Sequence, residues 1–197
     1  LGIDGLARAL DERIRTIQEV ALHYEVPFYE SDVGKSSVKA LLTAGAPSTT
    51  GHDEERMLRA LREIVETPGE VPMRIGVNTG RVFTGDFGPS YRRSYRVFGD
   101  AINTAARVMS RAQAGQVLAT ETVLERSATA FETTPIEPFA AKGTSEPIRA
   151  SIVGPAVGRR ESVVRTTPTV GRERELETLL QVVEDARRSA GWIVDLS

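Results

Sequence analysis

The run Tyr95-Arg96-Val97-Phe98-Gly99-Asp100-Ala101-Ile102-Asn103-Thr104-Ala105-Ala106-Arg107 decides how this chain is read. Tyr95 to Val97 makes a short strand, Gly99 breaks it, and Asp100 opens a helix that runs to about Ala112, its acidic side chain suited to a helix N-terminus. Asn103 and Arg107 stand four residues apart, so they project from nearly the same helix face. A second run, Arg74-Ile75-Gly76-Val77-Asn78-Thr79-Gly80, lies just upstream. It reads as a strand over 73–77, a tight turn at 78–80 and a return strand over 81–85, so that the two strands would form a hairpin. Residues 86–94 form the polar loop between the two runs.

Working outward, Leu6, Leu10, Ile14, Ile17, Ala21 and Tyr24 recur at steps of three and four, the pattern of an amphipathic helix with these residues inward. Val26-Pro27 ends it, because proline disfavours helical geometry in its predecessor. Residues 27–31 and 38–43 read as strands joined by a polar turn, a hairpin. A loop over 45–51 leads to a helix over 53–67 with Met57, Leu61, Ile64 and Val65 inward, stopped by Pro68-Gly69. Downstream, 116–119 is a strand, 121–127 a short helix, and 130–133 and 148–153 the last strands. The order predicts an α+β fold, a mostly antiparallel sheet packed with helices. After Val153 the composition turns to glycine, proline and scattered arginine, read as a linker over 154–168 between a domain at 1–153 and the start of another at 169–197.

Composition narrows the chemistry. The 197 residues hold 25 Lys+Arg against 27 Asp+Glu, a net charge of −2, which leaves no electrostatic footprint for nucleic acid. Cysteine is absent, so a disulfide scaffold, a thiolate zinc site and a cysteine nucleophile are excluded. With His23 and His52 alone, any metal would rest on carboxylates, which suits Mg²⁺ or Mn²⁺. No apolar run reaches the roughly 18 residues of a membrane span, no signal peptide is visible, and a cytoplasmic setting is expected. The start at Leu1 reads as that of a fragment.

Taken together, the two runs resemble the class III nucleotidyl cyclase catalytic domain, which shows an R-I-G-x-x-T-G segment followed by F-G-D-x-V/I-N-x-A-x-R. Leu42-Thr43-Ala44-Gly45-Ala46-Pro47 and Lys142-Gly143 add to the likeness, which spans residues 1–153. The resemblance implies a ferredoxin-like cyclase fold whose first strand would lie upstream of this chain. It implies conversion of ATP, or a related nucleoside triphosphate, into a cyclic nucleotide and pyrophosphate at a site shared by two domains of a homodimer. Asn103 would orient the ribose, Arg107 would contact phosphate as charge develops, and Lys142 would bind the triphosphate. Arg96, Phe98, Gly99 and Glu30 would line the substrate site. Two aspartates would hold two Mg²⁺ or Mn²⁺ ions, one of them upstream; Asp32 is the nearest carboxylate for the other, and equally an ordinary hairpin-turn aspartate. Two departures matter. Glu30 stands near the usual base-reading lysine, and Arg96 stands where a base-reading Asp, Thr or Cys is usual. Arginine has donors only and suits the adenine amino group poorly. Two functions therefore stand side by side, an adenylate-cyclase-type enzyme and a degenerate cyclase homology domain that binds nucleotide or dimerises to regulate an attached ATPase.

Other signals carry less. Gly34-Lys35-Ser36 lacks the earlier glycine of a phosphate loop, since Tyr29 occupies that position. Arg92-Arg93 reads as a solvated loop, and Asp53-Glu54-Glu55 as acidic residues at a helix start. Val170-Gly171-Arg172-Glu173-Arg174-Glu175-Leu176, with a strand from Trp192, resembles the entry to a signal-transduction ATPase of the AAA/NACHT-like type.

Overall fold

The computed structural model describes residues 2–34, 37–49, 51–140 and 146–160, with 177, 178, 180–182 and 185 further on. The chain divides into two units, Leu1–Glu161 and Ser162–Ser197. In the second, a helical stretch carries a Gln181 Nε2 to Asp185 Oδ1 hydrogen bond of 3.2 Å. The ATPase-like motif at 170–176 and the strand from Trp192 lie outside the described residues.

The first unit runs α1 (Ile3–His23), β1 (Phe28–Val33), β2 (Val38–Leu42), α2 (Asp53–Glu66), β3 (Ile75–Val77), β4 (Phe83–Phe87), β5 (Ser94–Phe98), α3 (Asp100–Arg111), β6 (Val117–Thr120), α4 (Glu121–Arg126), β7 (Thr129–Pro135) and β8 (Ala150–Arg159). It is an α+β fold, as expected. A four-stranded sheet has the order β3-β6-β8-β7, and β1-β2 and β4-β5 form two hairpins of their own. Only the β3–β6 pairing is parallel.

β6 explains the layering. Val117, Leu118, Ala119 and Thr120 are all buried, the mark of a central strand covered on both faces. Val117 and Ala119 join a core with Leu58, Leu61 and Ile64 of α2, Ile17 and Ala21 of α1, and Val123 of α4. Leu118 faces the other way, into a second cluster with Val108 and Ala112 of the α3 end, Phe139 and Ile148. Helix α3 thus covers one face, and α1, α2 and α4 the other. Arg111 caps the second cluster, its guanidinium carbon 4.7 Å from the Phe139 ring centroid.

Three expectations change. The run 73–85 is not a hairpin: β3 pairs with β6 and β4 pairs with β5. The reason is Asn78, which leaves the sheet to donate Nδ2 to Ala101 O at 3.2 Å while its Oδ1 accepts from Thr120 Oγ1 at 3.1 Å. The chain is drawn toward α3 and β6 instead of folding back on β3. Next, the last strand continues to Arg159, past the expected linker start at residue 154. Beyond Ile152, where its pairing with β6 ends, β8 goes on as a ribbon with β7, and register shifts flank Phe131. Gly154 and Pro155 belong to that irregular ribbon, where an edge strand tolerates them. Last, α1 buries Ala9, Arg13, Ile17, Val20 and Ala21, while Leu6 is 47% exposed. The inward face is turned because Arg13 is drawn in, donating Nη1 to Thr67 O at 2.9 Å.

Between β2 and β3 lies a cavity of about 340 Å³, with Leu42, Met57, Leu61, Ile75 and Val77 among its apolar lining. No strand of the described residues occupies it, and β2 and β3 are not paired with each other.

Gly76 fixes the distance between β3 and α3. A Cβ there would stand 2.2 Å from Met109 N and 2.4 Å from Ala105 O, both helix backbone atoms that cannot swing aside. Gly76→Ala is expected to destabilise the unit by about 3 kcal/mol, the upper part of the overpacking range, read as a lower urea midpoint. An unchanged midpoint would show that β3 and α3 are not in backbone contact.

Candidate functional site

The residues singled out by sequence fall on three neighbouring pieces: the β1–β2 hairpin, the β4–β5 hairpin and helix α3. In β1, Glu30 pairs in register with Leu41 and Asp32 with Lys39. Glu30 and Asp32 are two apart on a strand and share its face. In the second hairpin, Arg96 of β5 lies opposite Gly85 of β4. Arg96 then reaches across to β1, and its Nη1 donates to Glu30 Oε2 at 3.2 Å. Beside this pair, Tyr29 and Tyr95 bring their ring centroids to 6.0 Å. The Tyr29 hydroxyl is buried without a hydrogen-bond partner, and that burial, with Tyr95 and Glu30 close by, raises its pKa above the usual phenol value. It is a neutral donor at the edge of the pair.

β5 passes directly into α3 through Gly99, whose φ is 155°. A Cβ at this position would come within 2.7 Å of Arg81 O, so glycine is required for the strand to turn into the helix. On α3, Ala101, Ile102 and Ala105 face the cavity beside β3. Asn103 is exposed and Arg107 half-buried, on a different face of the helix. Among the described residues the Arg107 guanidinium has no hydrogen-bond or ion-pair partner, and Val108 next to it is fully buried, anchoring the helix. The Asn103/Arg107 face therefore presents an amide and an open guanidinium outward, suited to hold a ribose and a phosphate.

Phe98 is 50% exposed and meets Phe87 edge to face at 4.8 Å, while Phe87 meets Phe83 at 6.0 Å. These rings form an exposed aromatic patch on the β4–β5 hairpin. Lys142 lies outside the described residues. Asp32 is an exposed carboxylate, and no group of three or more His, Cys, Asp or Glu side chains converges among the described residues. The donor set for a two-metal centre is not assembled by them.

Sequence reasoning missed the positioning work of Asn78 and Thr79. Beyond the Asn78 bonds described above, Thr79 Oγ1 donates to Glu54 Oε1 at 3.3 Å, and Arg126 Nη1 stands 3.5 Å from the same carboxylate oxygen. The segment after β3 is thereby tied to α2, α3, α4 and the end of β6. A buried-facing polar pair following a strand was the available signal.

Against known proteins, residues 52–153 match the family described as the adenylate and guanylate cyclase catalytic domain. The receptor-type guanylate cyclase gcy-20 of Caenorhabditis elegans is 33% identical over 88 residues, covering 39% of this chain and 8% of that protein, so the chain corresponds to a small part of that relative. Among solved structures, the catalytic core of a rhodopsin-guanylyl cyclase with converted specificity, in complex with ATPαS, superposes with a TM-score of 0.66 at 23% identity, over 78% of this chain and 85% of that one. The guanylate cyclase domain of RhGC from Catenaria anguillulae, in complex with GTP, gives 0.65 at 23% identity over 81% and 87%. The adenylyl cyclase CyaB from P. aeruginosa gives 0.64 at 21% identity over 80% and 86%. These likenesses establish the fold.

The Glu30 and Arg96 side chains are 46% and 50% exposed. An ion pair so open to water contributes at most about 1 kcal/mol. Glu30→Gln and Arg96→Gln, alone and together, are therefore expected to change unfolding free energy by less than about 1 kcal/mol. A double-mutant coupling several times larger in chemical denaturation would mean that the contact is a structural clasp.

Proposed function

The chain belongs to the adenylate and guanylate cyclase catalytic domain family, and from that premise we propose that it supplies half of a nucleotidyl cyclase site acting on a purine nucleoside triphosphate. In this reaction the ribose 3′-oxygen attacks the α-phosphorus, forming the cyclic ester. The bond from that phosphorus to the bridging oxygen breaks, pyrophosphate leaves, and the 3′-hydroxyl proton passes to solvent. One observation carries the reading: β5, Gly99 and α3 form an uninterrupted piece of backbone with Arg96 at one end and the outward Asn103/Arg107 face at the other. A base held by Arg96 and Glu30 leaves its ribose and phosphates directed along that piece. Asn103 then orients the sugar, and Arg107 takes the charge that builds on the phosphoryl oxygens. Positioning and charge stabilisation provide most of the rate in phosphoryl chemistry. Lys142 adds a further cation for the triphosphate. ATP and cyclic AMP are the substrate and product that the sequence resemblance favours.

The site faces outward, which fits a shared site in a two-fold homodimer. The exposed aromatic patch of Phe83, Phe87 and Phe98 supports an interface, since large apolar side chains clustered in water mark contact surfaces. We place the domain in the cytoplasm, where nucleoside triphosphates are abundant; no helix of the described residues is long and apolar enough to cross a membrane. The segment from 169 onward we read as the start of an ATPase domain governed by this one, joined through a short linker.

A second reading has its own observation. The described residues do not assemble a carboxylate cluster for metal, which favours a regulatory module that binds nucleotide or dimerises without turnover. Cyclic-nucleotide formation, measured on the protein that carries this chain with Mn²⁺ and either ATP or GTP, separates the two. Arg107→Ala is expected to lower kcat by about 10²–10³-fold, the usual effect of removing a transition-state donor, without shifting the melting temperature. Absence of product above a mock preparation, together with unchanged nucleotide binding in Arg107→Ala, rejects the enzyme.

A further inference from the structure

Glu30 and Arg96 are 66 residues apart in sequence, come from different hairpins, and meet through a single hydrogen bond of 3.2 Å. That bond occupies one carboxylate oxygen and one guanidinium N–H. The second oxygen and the remaining N–H groups stay open, and about half of each side chain faces solvent. An ionised carboxylate only accepts, and a guanidinium only donates. The two hairpins thus present an acceptor edge and a donor edge side by side, held at a fixed spacing.

Resting on the cyclase reading, we propose that Glu30 and Arg96 form a guanine-selective base site, so that the nucleotide this chain takes is GTP rather than ATP. Guanine carries N1–H and the N2 amino group as adjacent donors, and O6 with N7 as adjacent acceptors. A carboxylate satisfies the first edge with both oxygens. A guanidinium satisfies the second, the commonest arginine contact with a base. Adenine reverses the pattern. Its N1 is an unprotonated acceptor whose lone pair would face the Glu30 carboxylate, and its single exocyclic donor sits between two acceptors. Groups built to hydrogen-bond a ligand lose affinity steeply when the ligand leaves them unpaired. The same argument explains both departures from the family pattern at once: each residue alone is odd for reading adenine, whereas together they match guanine. The opposite polarity, a donor at position 30 and an acceptor at position 96, would match adenine.

The test is displacement of a fluorescent GTP analogue from this chain by unlabelled GTP, ITP and ATP, with cyclic GMP and cyclic AMP formation by the longer protein measured in parallel. GTP is expected to bind about 10- to 100-fold more tightly than ATP, the discrimination of a good bidentate base contact. ITP, which lacks the N2 amino group, should fall between them. Glu30→Gln should lose most of the GTP preference while ATP affinity holds, and Glu30→Lys with Arg96→Asp should invert it. If the double variant fails to fold, Glu30→Gln and the ITP comparison decide alone. Equal affinity for GTP and ATP, or cyclic AMP as the main product, overturns the guanine assignment and leaves the cyclase reading standing. Failure of both nucleotides to bind overturns the two together.

Discussion

The backbone of β3 lies directly on the backbone of α3, and the position of everything functional follows from that contact. Gly76 makes it possible, since any side chain would collide with Ala105 O and Met109 N. Small residues on the facing side of the helix, Ala101 and Ala105, continue the close fit. With that face committed to the strand, Asn103 and Arg107 are left pointing elsewhere, toward water. Asn78 then fixes the helix along its axis by accepting from Thr120 and donating to the first-turn carbonyl of Ala101. Gly99 sets the angle at which β5 enters. The two glycines and one asparagine that make the motifs recognisable are thus the parts that aim the helix, while the residues that would touch a ligand are carried by it.

Much of this was legible along the chain. Helices α1, α2 and α3, the β1–β2 hairpin and the buried β6 announce themselves through apolar spacing and through glycine and proline breaks, which are local signals. Pairing between distant strands is not local. The run 73–85 carries every mark of a hairpin, yet its two strands part because one side chain, Asn78, finds better partners in α3 and β6 than a return strand would offer. The α1 face was misread for a related reason: Arg13 is buried because Thr67 supplies a carbonyl 54 residues away. Glycine and proline after Val153 signal irregularity, and irregularity belongs to bulged ribbons as much as to linkers.

The site shows the same division. Asn103 and Arg107 are read from helical spacing alone, because four residues on a helix define a face. Glu30 and Arg96 each look misplaced when read singly, and their relation appears only when two hairpins from distant parts of the chain are brought together. Asp32, by contrast, gains nothing from the fold: it shares a strand face with Glu30 and stays without the company of other carboxylates that a divalent ion requires.

The gap between β2 and β3 has a consequence for handling the molecule. β3 ends the four-stranded sheet and β2 ends its hairpin, so two rows of backbone amides and carbonyls border one apolar slot. Such rows template the addition of an extended peptide from whatever chain is at hand. In a concentrated preparation of this chain, the nearest extended peptide belongs to another copy. Self-association that grows with protein concentration, and amide protons in β3 that exchange with solvent faster than those of β6, are the signature of a sheet interrupted at its middle. A short strand-forming peptide added in excess competes for the same slot and acts as a solubiliser.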